Sequence, residues 1–442
     1  MTKVITYGTF DLFHEGHDNL LRRAKELGDY LIVGVTAERY DRERGKLNVH
    51  NSLMQRIEDV KKSGFADEII VEEYEGQKIE DIVKYEVDIF AIGSDWLGQF
   101  NYLEEYCKVV YLERTKGISS TQLRNEKQIV ELGIIGTESI ANRFVPESKY
   151  VSGVIVKGVY DTNENSAMEF CQKHELDFYS SDFEEFISKV SAVYIACPNI
   201  SHYDYVKKCL ECGRHVLCEK PMVLSKNQAI ELYNLSKEQN LVLIEALETA
   251  YSQGFVHLIS LVKSGVIGEI RDVDVSFTLQ NSENMQVSDS NGSMIELASY
   301  TLLPILKIFG INFKNIKFFP LIKNGIDVFT RGILEYDNGI GSFKVGLGVK
   351  SESDLIISGT KGYVYVPSPW NHTEYFELRF ENSNFNKKYF YKFDGDGLRY
   401  ELNEFVRNIT LKTNHSNDYL FKKRESIAII EIIEKFLNSI KK

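Results

Sequence analysis

Short apolar strands alternate with helical stretches through the early part of this chain, and that alternation limits the fold more than any other feature. Val4–Tyr7, Tyr30–Val35, Glu68–Val71, Ile89–Ile92 and Val109–Leu112 read as strands, with helical patterns between most of them. This order predicts an α/β architecture with a parallel, doubly wound sheet. Ligands of such sheets collect outside the carboxyl ends of the strands. Three polar clusters are predicted at that edge: Gly8–His17, Gly93-Ser94-Asp95-Trp96 and Arg114–Thr121.

The first cluster carries the most chemistry. Gly8-Thr9-Phe10-Asp11-Leu12-Phe13-His14-Glu15-Gly16-His17 follows a strand directly and opens a helix with Leu20, Leu21, Ala24 and Leu27 on one face. Backbone N–H groups and the helix dipole favour a phosphate there. The imidazoles of His14 and His17 can donate to a phosphoryl group as its charge redistributes in a transition state. Arg114–Thr121 is a basic, hydroxyl-rich loop opening a helix and suits a polyphosphate.

On these residues, with Ile5-Thr6-Tyr7 before them and Gly28-Asp29-Tyr30 between, residues 1–128 resemble the small cytidylyltransferases of the H-x-G-H nucleotidyltransferase superfamily. Those enzymes make CDP-glycerol from CTP and glycerol 3-phosphate. The resemblance implies that His14 and His17 stabilise the α-phosphate during in-line attack, with Lys46 and Arg114 binding triphosphate charge. It implies a nucleotide cradle from Gly8, Thr9 and Phe10 and from Gly117, Ile118, Ser119 and Thr121, with Trp96 beside it. Asp95 would accept from the cytosine amino group, an acceptor that selects this amine over the uracil carbonyl. Mg2+ is expected to bridge the phosphates. One departure concerns the acceptor: Gly64, beside Lys61 and Lys62, replaces an arginine near the end of the helix that follows Arg56. The acceptor is therefore read as a small phosphorylated polyol, glycerol 3-phosphate being one candidate.

At 442 residues the chain exceeds one ordinary core, so two or three domains are expected. A net charge of −12 argues against nucleic acid or an anionic membrane as main partner. Neither a signal peptide nor an apolar run near 20 residues stands out, so a cytoplasmic protein without membrane insertion is expected. Cys209 and Cys212 form a C-x-x-C on a helical pattern with no second ligand pair, which predicts thiols and no metal site.

A second α/β pattern starts at Ile129. Gly133–Ala141 reads as strand, turn and helix start, and the strand Val154–Tyr160 ends in Asp161. That layout predicts a dinucleotide site, with Gly136, Thr137 and Ala141 at the phosphate turn and Asp161 on the adenosine ribose. A closing Asp favours NAD over NADP, while Glu138 stands where the second glycine of the fingerprint would lie. Further on, Ala196-Cys197-Pro198-Asn199, His202 and His215-Val216-Leu217-Cys218-Glu219-Lys220-Pro221 resemble the glucose–fructose oxidoreductase and inositol dehydrogenase family.

That resemblance implies a Rossmann domain over 129–248, with Pro198, Asn199, His202 and Glu219 at an NAD or NADP cofactor. It implies an α+β subdomain over 249–442 with an open sheet, a role in substrate binding and oligomerisation, and a C-terminal helix. Ile270–Phe277, Val328–Tyr336 and Ile340–Val345 are the strands expected there. Lys220 would point at the substrate oxygen, aimed by a cis-prone bond to Pro221. Tyr300, on the helix after Glu296, would be the proton donor, its pKa lowered by the ammonium. A homo-oligomer is expected.

Two readings of the second half follow. In one it reduces a keto- or aldo-phosphate and the first domain couples the resulting polyol phosphate to CMP, for cell-envelope polysaccharide. In the other, motivated by Glu138 and the Glu296/Tyr300 pair, it is a non-catalytic binding or assembly module.

Overall fold

The computed structural model describes residues 1–37, 40–41, 49, 51–74, 76–113, 129–280, 292–411 and 421–440. They fall into two compact units, Met1–Ile129 and Val130–Lys442.

The first unit contains β1 (Lys3–Gly8), α1 (Glu15–Lys25), β2 (Tyr30–Thr36), α2 (Leu53–Ser63), β3 (Glu68–Glu72), α3 (Gln77–Tyr85), β4 (Ile89–Gly93) and β5 (Lys108–Leu112). Its strands order β3-β2-β1-β4-β5, and every pairing is parallel. The order reverses between β1 and β4, so the crevice for a ligand opens at the end of β1. Leu21 and Ala24 of α1 are buried, and Leu20 and Leu27 pack partly against the same core as Val4, Leu31 and Val33. The helix α2 starts on Ser52, whose side chain accepts from the Gln55 amide, and stops at Gly64 with φ +74°. Gly64 is thus a left-handed helix stop, a conformation that costs an arginine more than a glycine.

The second unit begins with β6 (Val130–Ile135), α4 (Ser139–Ser148), β7 (Val154–Tyr160), α5 (Glu164–His174), β8 (Phe178–Ser180), α6 (Phe183–Ser188) and β9 (Ala192–Ile195). It continues through α7 (Asn199–Glu211), β10 (His215–Glu219), α8 (Lys226–Glu238) and β11 (Leu243–Ala246). The resulting parallel sheet has the order β11-β10-β9-β6-β7-β8, reversing between β6 and β9. After α9 (Gln253–Lys263) come β12 (Ile270–Leu279) and the long helix α10 (Ser293–Phe309). The remaining strands are β13 (Asn315–Lys323), β14 (Ile326–Glu335), β15 (Ile340–Leu347), β16 (Leu355–Gly359), β17 (Gly362–Val366), β18 (Tyr375–Phe380) and β19 (Lys387–Phe390). They join β12 in an eight-stranded sheet in which β12 and β15 are parallel and the other pairs antiparallel.

Two helices close the unit, α11 (Leu398–Leu411) and α12 (Lys423–Ile440). Leu398, Leu402, Phe405 and Val406 of α11 share one core with Leu132, Phe144 and Tyr194, and Ile430 of α12 joins the core on the other face. The helices α11 and α12 therefore pack with the dinucleotide sheet, across the expected division at 248/249. Burying side chains of this size contributes about 1.5–3 kcal/mol each, which holds these late helices against strands far earlier in the chain.

Candidate functional site

The first site forms where β1 ends. Phe10 and Leu12 take left-handed backbone with φ of 54° and 47°, strained values that bend the chain sharply between strand and helix. His14 is the N-cap of α1, and its Nδ1 accepts from the Gly16 amide at 3.0 Å. That bond places the proton of the neutral ring on Nε2, the tautomer able to donate outward. His17, one turn into the helix, stacks on His14 with centroids 4.0 Å apart, and the Phe10 and Phe13 rings flank it at 5.5 Å. The two imidazoles thus stand together at a helix N-terminus, where an anion gains from the dipole.

A buried network fixes this loop. Thr9 Oγ1 donates to Asp41 at 2.6 Å, and the fully enclosed Arg56 Nη1 reaches Thr9 O and Thr36 O, each at 2.8 Å, and Asp41 at 3.3 Å. Asp11 accepts from the Asn51 amide at 2.8 Å, and Arg56 Nε donates to the Asn51 carbonyl at 3.1 Å. Sequence reasoning did not select Asp11, Asp41 or Arg56. The available signal was an arginine on the same helical stripe as Leu53, Ile57 and Val60.

Gly8 closes β1, and Trp96 ends a short turn (Ser94–Trp96) after β4, which pairs with β1. Lys46, Arg114, Gly117, Ile118, Ser119, Thr121 and the side chain of Asp95 lie outside the described residues.

In the second unit Gly136 follows β6 with φ +98°, and a Cβ there would meet the Ala196 carbonyl at 2.6 Å. This close approach of two loop backbones needs glycine. Thr137 donates to Asp161 at 2.9 Å, tying the turn to the end of β7. Ala141 is wholly buried, which lets α4 seat on the sheet with Phe144 stacked 3.7 Å from Tyr194. Glu138 is the N-cap of α4 but makes no capping hydrogen bond. Desolvation, then the carboxylates of Asp161 and Glu296, push its pKa up. The turn thus leaves its backbone open, with the exposed Glu138 carboxylate at its edge.

Lys220 and Tyr300, eighty residues apart in sequence, come together here. The Lys220–Pro221 bond is cis, and Lys220 Nζ donates to the Glu296 carbonyl at 3.1 Å while lying 5.3 Å from the Tyr300 ring centroid. Tyr300 donates to Glu248 at 2.9 Å, and Glu219 accepts from Tyr194 at 2.5 Å. The expectation that Lys220 lowers the Tyr300 pKa is overturned. Burial, then the carboxylates of Glu248 and Glu219, push it well up, so Tyr300 is held as a phenol.

His202 lies between two of these loops. It is fully enclosed, with Nε2 and Nδ1 at 2.8 and 3.1 Å from the carbonyls of Cys197 and Pro221. It joins the loop after β9 to the loop carrying Lys220. Pro198 is exposed and caps α7, Asn199 begins that helix, and both adjoin the Gly136 turn through Ala196 and Cys197. All six cysteines are free, and among the described residues no cluster of His, Cys, Asp and Glu could hold a metal.

Both units thus carry their candidate residues at a switch point of a parallel sheet, and the class they define is that of nucleotide-dependent enzymes. Residues 5–126 match the family model described as cytidylyltransferase-like, and the chain belongs to that family. Over 126 residues it is 50% identical to glycerol-3-phosphate cytidylyltransferase of Bacillus spizizenii, covering 28% of this chain and 97% of that one. Residues 130–247 match the oxidoreductase family with an NAD-binding Rossmann fold. Over 320 residues the chain is 26% identical to a scyllo-inositol 2-dehydrogenase (NADP(+)) of Bacillus subtilis, covering 69% of this chain and 95% of that one. A solved oxidoreductase from Thermotoga maritima superposes with a TM-score of 0.62 at 19% identity, covering 71% of this chain and 97% of that one. A 3-ketoreductase from Actinomadura kijaniata, solved with NADP, gives 0.60 at 17%, covering 69% and 96%. The chain fuses a cytidylyltransferase domain to an NAD(P) oxidoreductase domain. No described helix is long and apolar enough to cross a membrane.

Proposed function

We propose that residues 1–128 transfer CMP from CTP to a small polyol phosphate, giving a CDP-polyol and pyrophosphate, and that residues 129–442 make that polyol phosphate by reducing a keto- or aldo-phosphate. The observation that carries the transfer reading is the paired imidazoles of His14 and His17 at the head of α1, with the His14 tautomer set by the Gly16 amide. Donation from these rings stabilises the charge that builds on the α-phosphate. Lys46 and Arg114 would supply countercharge to the triphosphate, and Mg2+, if bound with CTP, would neutralise further phosphate charge. Gly64 in place of an arginine leaves the acceptor open, with glycerol 3-phosphate one candidate.

Gly136, Thr137 and Asp161 are the residues that would hold a nicotinamide dinucleotide, which supplies a hydride when bound. Lys220 binds and polarises the substrate oxygen, and Tyr300 delivers a proton to it. The product's phosphate is the nucleophile that cytidylyl transfer needs, which supports the two reactions as consecutive steps toward an envelope polysaccharide. Incubation of the full chain with NADPH, CTP and either dihydroxyacetone phosphate or ribulose 5-phosphate tests the sequence. CDP-polyol formed only when both NADPH and CTP are present supports it. CDP-polyol from supplied polyol phosphate, with no NAD(P)H oxidation on any keto-phosphate, sinks the reductase half. Glu138 favours the second reading, a binding module without redox activity, and the absence of NADH or NADPH binding in a fluorescence titration would select it.

A further inference from the structure

The helix that carries Tyr300 ends at a cavity that neither proposed reaction uses. A hollow of about 290 Å³ lies where the C-terminal ends of α9 and α10 meet the start of α12. Lys307 lines it and is 2% exposed, whereas Lys263, Asn312 and Arg424 line it and are exposed. Lys307 follows Tyr300 by two helical turns, about 10 Å along α10. The volume is at the small end of ligand pockets, enough for a phosphate bearing a few carbons and too small for a dinucleotide.

The charge of this cavity is unbalanced. Glu425 is the one acid among its described lining residues, and three groups already engage it. Lys307 Nζ and Arg424 Nε reach its Oε1 at 3.4 and 3.2 Å, and the Lys422 amide donates to Oε2 at 3.1 Å. Lys263, Lys307 and Arg424 thus line the cavity with one carboxylate between them, a local positive surplus in a chain of net charge −12. Burial pulls the Lys307 ammonium down to about 8 against the attraction of Glu425, so this ion pair does not fully offset desolvation.

Helix geometry deepens the imbalance. Lys263 and Lys307 stand in the last turns of α9 and α10, where a cation complements the dipole. Lys422, Lys423 and Arg424 instead run into the N-terminus of α12, the end that favours anions, with Glu425 the one acid of its first turn. A run of cations there is unfavourable until an anion joins it.

We propose that this cavity binds a phosphate dianion, carried by a small phosphate monoester or free in solution. Arg424 offers the fork of N–H donors that suits phosphate, Lys263 adds an exposed ammonium, and Lys307 supplies charge from beneath. Asn312 is the neutral polar side chain available to a hydroxyl of the ester. Neither hydride nor cytidylyl transfer enters this binding.

Calorimetric titration of the full chain with glycerol 3-phosphate, inorganic phosphate and glycerol, at matched ionic strength, tests it in wild type, Arg424→Gln and Lys263→Gln. Both phosphates should show a binding event that either substitution weakens about tenfold, and glycerol should show none. Tighter binding of glycerol 3-phosphate identifies the ester as the occupant, equal affinity identifies free phosphate, and both support the site. Phosphate binding that neither substitution weakens overturns it. Circular dichroism and unchanged CMP transfer verify that the variants fold. The unsubstituted protein gives a second measurement: acetylation of Lys263, followed by mass spectrometry, should slow several-fold as either phosphate is added. An unchanged rate overturns the proposal.

Discussion

Glu138 places a carboxylate where the backbone of a dinucleotide turn meets pyrophosphate, and no other described residue of that turn opposes an anion. Replacing it by glycine should tighten NADH binding about two- to fivefold, since an exposed charge at a helix N-terminus contributes about 0.3–1 kcal/mol. The raised Glu138 pKa gives the sign of the pH effect: protonation removes the repulsion, so wild-type affinity improves as pH falls while Glu138→Gly stays flat. Fluorescence titration across pH measures both. For the first unit, His17→Ala should lower CMP transfer by about 10²–10³ with NADPH binding untouched, read as pyrophosphate release. At this scale the sequence was informative where a motif is local. His14, His17 and Gly136 stand where their neighbours in sequence place them. Tyr300 was named, but its ionisation was misread, because Glu248 and Glu219 come from other elements and outweigh Lys220.

Strands buried on both faces were legible because they are short unbroken apolar runs, as in Tyr30–Thr36 and Ala192–Ile195. The half-exposed strands β13 and β16–β19 were not delineated, since their alternation is diluted by turn residues and exposed aromatics such as Phe319 and Phe390. Helices were legible by their stripes, but polar residues inside a stripe were not. Arg56 sits on the buried face of α2, and Glu401 sits beside Leu398, Leu402 and Phe405 on α11. Only tertiary packing shows what such residues meet. Arg56→Met should destabilise the first unit by about 3–5 kcal/mol, because it removes the buried contacts of Arg56 to Asp41 and to the Thr9 and Thr36 carbonyls. Urea unfolding of the full chain, followed by a probe in residues 1–113, checks the value. A weaker affinity for CTP should accompany it, as the carbonyl of Thr9 loses its anchor.

Across the whole molecule, burial makes stability depend on pH in a defined direction. Glu245 is 1% exposed, bonded to the Met222 amide and the Ser426 hydroxyl, and burial pushes its pKa from 4.5 to about 7. A carboxyl whose folded pKa is raised contributes stability that is fully present below its unfolded pKa and is lost as pH rises toward 7. The second unit should therefore lose on the order of 3 kcal/mol from this group between about pH 4.5 and 7. Glu245→Gln should flatten that slope, measured as Tm against pH for the transition of the second unit.

The return of α11 and α12 to the dinucleotide sheet also governs how this protein is made. The strands β6 to β11 leave the ribosome long before Phe405 and Ile430 exist to cover them. The first unit, complete in its own sheet, can fold as soon as it emerges, whereas the second must keep half-covered strands waiting for its last helices. A ribosome stalled before residue 398 should carry a protease-resistant first unit tethered to a protease-sensitive second one.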